Sequence, residues 1–146
     1  MANVVQISKI MDGPSHVTLH CFMQSDGASG ELTNYVLLDP SVDLVPAMPK
    51  QQDLILKQVW YEMGGFSVIF SFDGVPPWPF WVLTPGASLH HDWRFFGGLR
   101  DRAGGGFGLT ATGKLLISTR GFVDAADAGA FVIWMEKRDR QNPQPD

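Results

Sequence analysis

The sequence predicts an all-β fold: a single antiparallel β-sandwich or barrel, jelly-roll-like, with long loops. Apolar and polar residues alternate in several segments, which is the pattern of strands with one buried face. Clusters of Gly, Pro and Asp recur between these segments, as expected for the turns of a sandwich. The 146 residues include 16 glycines and 10 prolines, which disfavour long helices.

Two segments carry the clearest alternation. In the segment 16–23, Val, Leu, Cys and Met occupy every second position and His or Thr lie between most of them. In the segment 66–72, Phe and Val share one face in the same way. We expect further strands at Val4–Ile10, Glu31–Leu38, Leu54–Met63, Phe80–Thr84, Lys114–Thr119 and Ala130–Lys137. The predicted core contains Val17, Leu19, Cys21, Phe66, Val68, Phe70, Ile117 and Ile133.

Turn and loop signals divide these strands. Gly64-Gly65 lies between two predicted strands and favours a hairpin. A short helical turn is expected near Asp124–Ala128. Irregular connections are expected at Val42–Asp53, Pro76–Pro79 and Leu89–Thr112. We therefore predict one β domain over residues 1–137, followed by a flexible C-terminal tail over residues 138–146.

The composition argues against several classes of protein. Charged residues make up 18% of the chain, against about 25% in an average globular protein, while hydrophobic residues make up 45%. A net charge of -4 gives no reason to expect nucleic-acid binding. No apolar run approaches the ~18 residues of a membrane span, and the N-terminus lacks a signal-peptide pattern. We expect a protein that assembles in the cytoplasm and covers apolar surface with a partner.

The candidate catalytic and metal-binding residues have simpler interpretations. His90-His91-Asp92 could bind a metal, or a histidine could act as a general base that the carboxylate orients. However, adjacent strand residues point to opposite faces. His16 and His20 lie on the polar face of one predicted strand, too far apart for a shared metal. Cys21, the sole cysteine, falls on an apolar face. We predict no catalytic activity, no metal and no cofactor.

Aromatic residues are concentrated in one stretch, where Trp78, Trp81 and Trp93 lie close to Phe80 and Phe95. Such residues could stack on sugars, as in a carbohydrate-binding β-sandwich module. They could equally fill a protein interface, where aromatic residues and Arg are enriched. Flanking Pro and aliphatic residues favour the interface, for which the candidate residues are Trp78, Trp81, Trp93, Arg94, Phe95, Arg100 and Arg102.

In overall character the chain resembles the auxiliary capsid proteins of tailed bacteriophages, of the decoration or cement type. The resemblance rests on the Met-Ala-Asn start, the tight Asp-Gly turns, the strand Gly113–Thr119 and the closing segment Asp127–Trp134. It implies a virion protein that binds the major capsid protein on the outer shell, often as a dimer or trimer. A head-completion or tail-tube protein is the alternative within virions, and no site residue is carried over from the resemblance.

Overall fold

The structure is a computed structural model that describes residues 2–40, 42–44, 52–74, 77–86, 89–99 and 114–139. These residues form nine β-strands and one 3-10 turn, Arg94–Phe96. The strands are β1 (Val4–Asp12), β2 (His16–Gln24), β3 (Tyr35–Leu38), β4 (Gln52–Gly64), β5 (Ser67–Phe72), β6 (Trp78–Leu83), β7 (Leu89–Asp92), β8 (Leu115–Arg120) and β9 (Ala128–Asp139). The all-β prediction is confirmed.

The strands form two antiparallel sheets. One has five strands in the order β1-β2-β9-β4-β7, and the other has four in the order β3-β8-β5-β6. The pairs β2·β9, β3·β8, β4·β7 and β5·β6 are those of one long antiparallel ribbon folded over on itself. This is the jelly-roll arrangement, with β1 added at one edge. The sheets form a sandwich that does not close into a barrel, so only the sandwich prediction holds.

The core lies between the two sheets. Every residue predicted for it is buried, with at most 1% of its surface exposed. Large side chains from both sheets meet there, and Phe70 of the smaller sheet contacts Phe131 of the larger one edge to face, with ring centroids 5.3 Å apart. Full burial of such a side chain contributes about 1.5–3 kcal/mol to the free energy of folding. The apolar faces of the alternating strands therefore stabilise the packing of the two sheets against each other.

The Gly64-Gly65 hairpin prediction is wrong. β4 pairs with β7 and β9, whereas β5 pairs with β6 and β8, so this turn carries the chain from one sheet to the other. Gly65 has φ +84, and a Cβ there would overlap the carboxylate of Asp127. Glycine is required at that position by the close approach of another loop, which local sequence does not reveal.

Several strand boundaries also differ from the prediction. Trp78 and Pro79 belong to β6, an edge strand where proline is tolerated, and Leu89–Asp92 forms β7 against β4. Only Tyr35–Leu38 of the predicted strand Glu31–Leu38 is extended and paired. Near Asp124–Ala128 there is a turn, closed by the Asp127 N–H donating to the Asp124 carbonyl at 2.9 Å, with no helix. β9 continues to Asp139, and residues 100–113 and 140–146 lie outside the described part of the chain.

Candidate functional site

The outer surface of the five-stranded sheet carries a continuous row of side chains. The register of the pairings places Ser8, His20, Val132, Trp60 and His90 directly opposite one another across all five strands. The strand neighbours of His20, Val132 and Trp60 are buried core residues, so the row points away from the core. We call this line the cross-sheet row.

Two further rows flank it on the same surface. One consists of Gln6, Phe22, Ala130 and Glu62, and the other of Thr18, Trp134, Gln58 and Asp92. We call the three rows together the outward face. A solvated outer face of an antiparallel sheet is normally polar, but this one presents Phe, Val and two Trp residues at its centre.

Both tryptophans of the outward face stack on a histidine. The rings of Trp60 and His90 lie 4.9 Å apart at an interplanar angle of 7°, and those of Trp134 and His16 lie 5.0 Å apart at 13°. Trp60 remains 43% exposed. Each histidine covers one face of its indole ring and so restrains the orientation of that ring.

An open groove of about 370 Å³ lies over the cross-sheet row. It is lined mainly by apolar and aromatic atoms, with a single carboxylate at its margin. The lining side chains include His20, Trp60, Glu62, Leu89, His90 and Val132. An aromatic centre with few charges is typical of the buried middle of a protein interface.

An ion pair limits the outward face near β7. The Arg94 guanidinium binds the Asp92 carboxylate, with Nη2–Oδ2 at 2.7 Å and Nε–Oδ1 at 3.0 Å. The hydrogen bond from the Arg94 side chain, together with that from its backbone N–H, lowers the pKa of Asp92 to about 2. Asp92 is therefore a fixed negative charge at this margin of the face.

The predicted interface residues do not lie together. Trp93 is buried, with 1% of its surface exposed, and Trp81 packs against it from β6, so Trp93 is not available as a surface anchor. Trp78 is half-buried, whereas Phe95 is 86% exposed and Arg94 is also exposed. Arg100 and Arg102 lie outside the described residues. The three tryptophans thus form no common exposed platform for a sugar.

The histidines lie where their strand positions predict. His90 points outward onto Trp60, and His91 points inward, where its Nε2 lies 2.8 Å from the Tyr61 hydroxyl. Within the described ranges, no three His, Cys, Asp or Glu side chains are grouped so as to hold a metal. Burial raises the pKa of the Cys21 thiol to about 12, so this cysteine is a poor nucleophile.

The acidic residues of the loop after β2 have structural roles. The Glu31 carboxylate accepts the backbone N–H groups of Gly121 and Phe122 at 3.0 and 2.6 Å. Asp26 accepts the backbone N–H groups of Ala28 and Ser29 at 2.8 and 2.7 Å. Both carboxylates stabilise turns.

In the part of the chain that is described, no helix is long and apolar enough to cross a membrane.

Trp60 and Trp134 were missed by the sequence interpretation. Both follow the period-two pattern: Trp60 lies between Val59 and Tyr61, and Trp134 between Ile133 and Met135, all four of which are buried. A Trp on the outward side of a strand is the signal that could have found them. Their convergence depends on the β4·β9 register, which no local pattern gives.

Comparison with protein-family models, curated proteins and solved structures found no match. The geometry of the outward face and the resemblance described above are therefore the basis on which a function can be proposed.

Proposed function

We propose that the chain is a structural protein of a tailed-phage virion that binds the major capsid protein on the outside of the shell. The outward face supports this proposal best, because the Val132 and Trp60 side chains at its centre would be covered in a docked state. Its contacts with the shell would centre on Trp60 and Trp134, with Glu62 and the Asp92–Arg94 pair at the margin. Large aromatic anchors in the middle of an interface usually carry most of the binding energy.

The fold is compatible with this role. Jelly-roll sandwiches occur in viral capsid domains and also in lectins, so the architecture alone does not separate the two classes. The histidine stacks favour protein binding over sugar binding. A sugar platform needs exposed aromatic ring faces, whereas Trp134 is half-buried and His90 stacks on one face of Trp60.

Co-sedimentation with phage shells assembled without the chain tests the proposal. Wild type should saturate a fixed number of sites, while Trp60→Ala and Trp134→Ala should each bind at least tenfold more weakly, because truncating a central anchor costs about 2 kcal/mol. Phe95→Ala is the control, since Phe95 is more exposed than Trp60 and belongs to none of the three rows of the outward face.

Three results would contradict the proposal. One is wild-type binding that neither tryptophan variant weakens. Another is retention on insoluble polysaccharide with no binding to shells, which would favour the carbohydrate-binding module. The third is binding to isolated tails or to portal complexes without binding to shells, which would favour the head-completion or tail-tube role.

A further inference from the structure

The four sheet edges of the described sandwich differ in their capacity to pair. Open edges expose unpaired N–H and C=O groups, and proteins protect them by keeping the strand short or by placing proline in it. β3 and β7 have four residues each, and β6 contains Pro79. β1 has nine residues and no proline. Among these edges, β1 is the one suited to adding another strand.

The protective features of β1 are confined to its C-terminal end. A bulge interrupts the β1·β2 register between Lys9 and Met11. The Lys9 ammonium is engaged within the same chain, where it lies 3.4 Å from the Asp12 carboxylate and donates to the Asp43 carbonyl at 2.5 Å. The segment Val4–Ser8 is regular and uncharged.

The start of β1 is held in place for pairing. The Asn3 side chain donates to the Gly30 carbonyl at 2.9 Å and accepts the Asp26 N–H at 3.0 Å. Along its other side, β1 is paired with β2 from Val4 to Asp12. A pre-ordered strand loses little conformational entropy when a second strand is added.

We propose that β1 pairs antiparallel with β1 of a second copy of this chain, about a two-fold axis at Gln6. A two-fold axis normal to the sheet keeps each side chain on its own face of the sheet. Because directly opposed residues of antiparallel strands point to the same face, the axis must lie midway between the two copies of one residue. An axis at Ile7 would oppose Val5 with the charged Lys9 and reach the bulge. An axis at Gln6 opposes Val5 with the partner's Ile7 and stays within the regular segment.

The Gln6-centred register is self-complementary. Val5 and Ile7 are half-buried and pack against the core, so their pairing extends the apolar inner surface across the two-fold axis. On the outward side, Gln6 opposes its own copy and Val4 opposes the partner's Ser8, with no like charges opposed. The two outward faces then form one continuous surface on a ten-stranded sheet.

This pairing goes beyond the proposed function and can be tested without any shell. A ladder of five residues per strand is short, so we expect a dimer whose population rises with protein concentration. If the chain also docks on a repeating surface, two linked outward faces bind with higher avidity than one.

Analytical ultracentrifugation over a concentration series, with Gln6→Lys and Gln24→Lys, tests the proposal. Wild type should shift from monomer to dimer. Gln6→Lys opposes two ammonium groups at the axis and should move the midpoint at least tenfold higher in concentration. Gln24→Lys makes the same substitution at an exposed position of β2, about 10 Å from the partner strand, and should dimerise as wild type does. Circular dichroism verifies that both variants are folded.

Thiol cross-linking tests the register. Gln6→Cys should form an intermolecular disulfide readily, because the two residues face each other, while Ser8→Cys should not, since its two copies lie about 13 Å apart along the strands. Cys21 is buried and does not compete. A wild-type monomer at every concentration, a dimer unaffected by Gln6→Lys, or equal cross-linking at positions 6 and 8 would overturn the proposal.

Discussion

The indole rings of Trp81 and Trp93 meet edge to face, with centroids 5.2 Å apart and an interplanar angle of 79°. Trp81 belongs to edge strand β6 of one sheet, and Trp93 follows edge strand β7 of the other. Each indole N–H is buried, and neither has a hydrogen-bond partner among the described residues. The pair therefore joins the two sheets along one side of the sandwich by packing alone.

Truncating Trp93 should destabilise the fold. Trp93→Ala removes a fully buried ring and should lower the free energy of unfolding by about 3–5 kcal/mol. Trp93→Phe keeps an aromatic ring and removes the unpaired N–H, so its loss should be less than half as large. Urea denaturation measures both, with Phe95→Ala, at an 86% exposed position, expected within about 0.5 kcal/mol of wild type. A Trp93→Ala variant as stable as wild type would contradict the burial of this ring.

The sequence predicts what depends on local alternation. The core residues predicted in β2, β5, β8 and β9 follow from period two, and all of them are buried. The sequence does not predict what depends on long-range pairing. Gly64-Gly65 has the composition of a hairpin, but Gly65 has φ +84 and lies against Asp127, more than sixty residues away.

The candidate site shows the same division. Trp93 lies in an aromatic-rich stretch that resembles an interface, and it is buried because β7 pairs with β4 and directs the following residue inward. Trp60 and Trp134 lie within ordinary strand patterns, and only the β4·β9 register brings them to one surface. The concentration of aromatic residues led to the prediction of an aromatic interface, but the pairing of the strands determines which aromatic side chains are exposed.

The buried thiol of Cys21 should make stability depend on alkaline pH. Its pKa is raised by burial from 9.0 to about 12, so above pH 9 the unfolded chain loses this proton while the folded chain retains it. The free energy of unfolding should therefore fall between pH 9 and 12, by up to about 1.4 kcal/mol per pH unit. Cys21→Ala should lack this component, so the difference between the two proteins isolates it. Equal slopes for both, or rapid labelling of the native thiol, would contradict the prediction.

The Asp92–Arg94 pair should hold Asp92 ionised in acid. The pKa of Asp92 is lowered from 3.8 to about 2, first by the hydrogen bond from the Arg94 side chain. The pair's contribution to stability is therefore present above pH 3.8 and lost as the pH falls towards 2. In Arg94→Gln the pKa should rise towards 3.8, but not fully, because the backbone N–H of residue 94 still donates to Asp92 at 3.0 Å. Carboxyl NMR titration measures both values, and identical titration curves would contradict the pairing.

Replacing Gly65 should cost more than replacing Gly30, although the two have nearly equal φ angles. Gly65 has φ +84 and Gly30 has φ +80, so alanine at either position pays the left-handed penalty of about 1–2 kcal/mol. Nothing lies within 4 Å of a Cβ at Gly30, whereas a Cβ at Gly65 would overlap Asp127. That carboxylate accepts the N–H groups of Val123 and Asp124 at 3.2 and 3.1 Å, so displacing it breaks the turn before β9. We expect Gly65→Ala to lower the free energy of unfolding by about 1–3 kcal/mol more than Gly30→Ala. Urea denaturation compares them directly, and equal losses would mean that backbone strain alone fixes glycine at this crossing between the sheets.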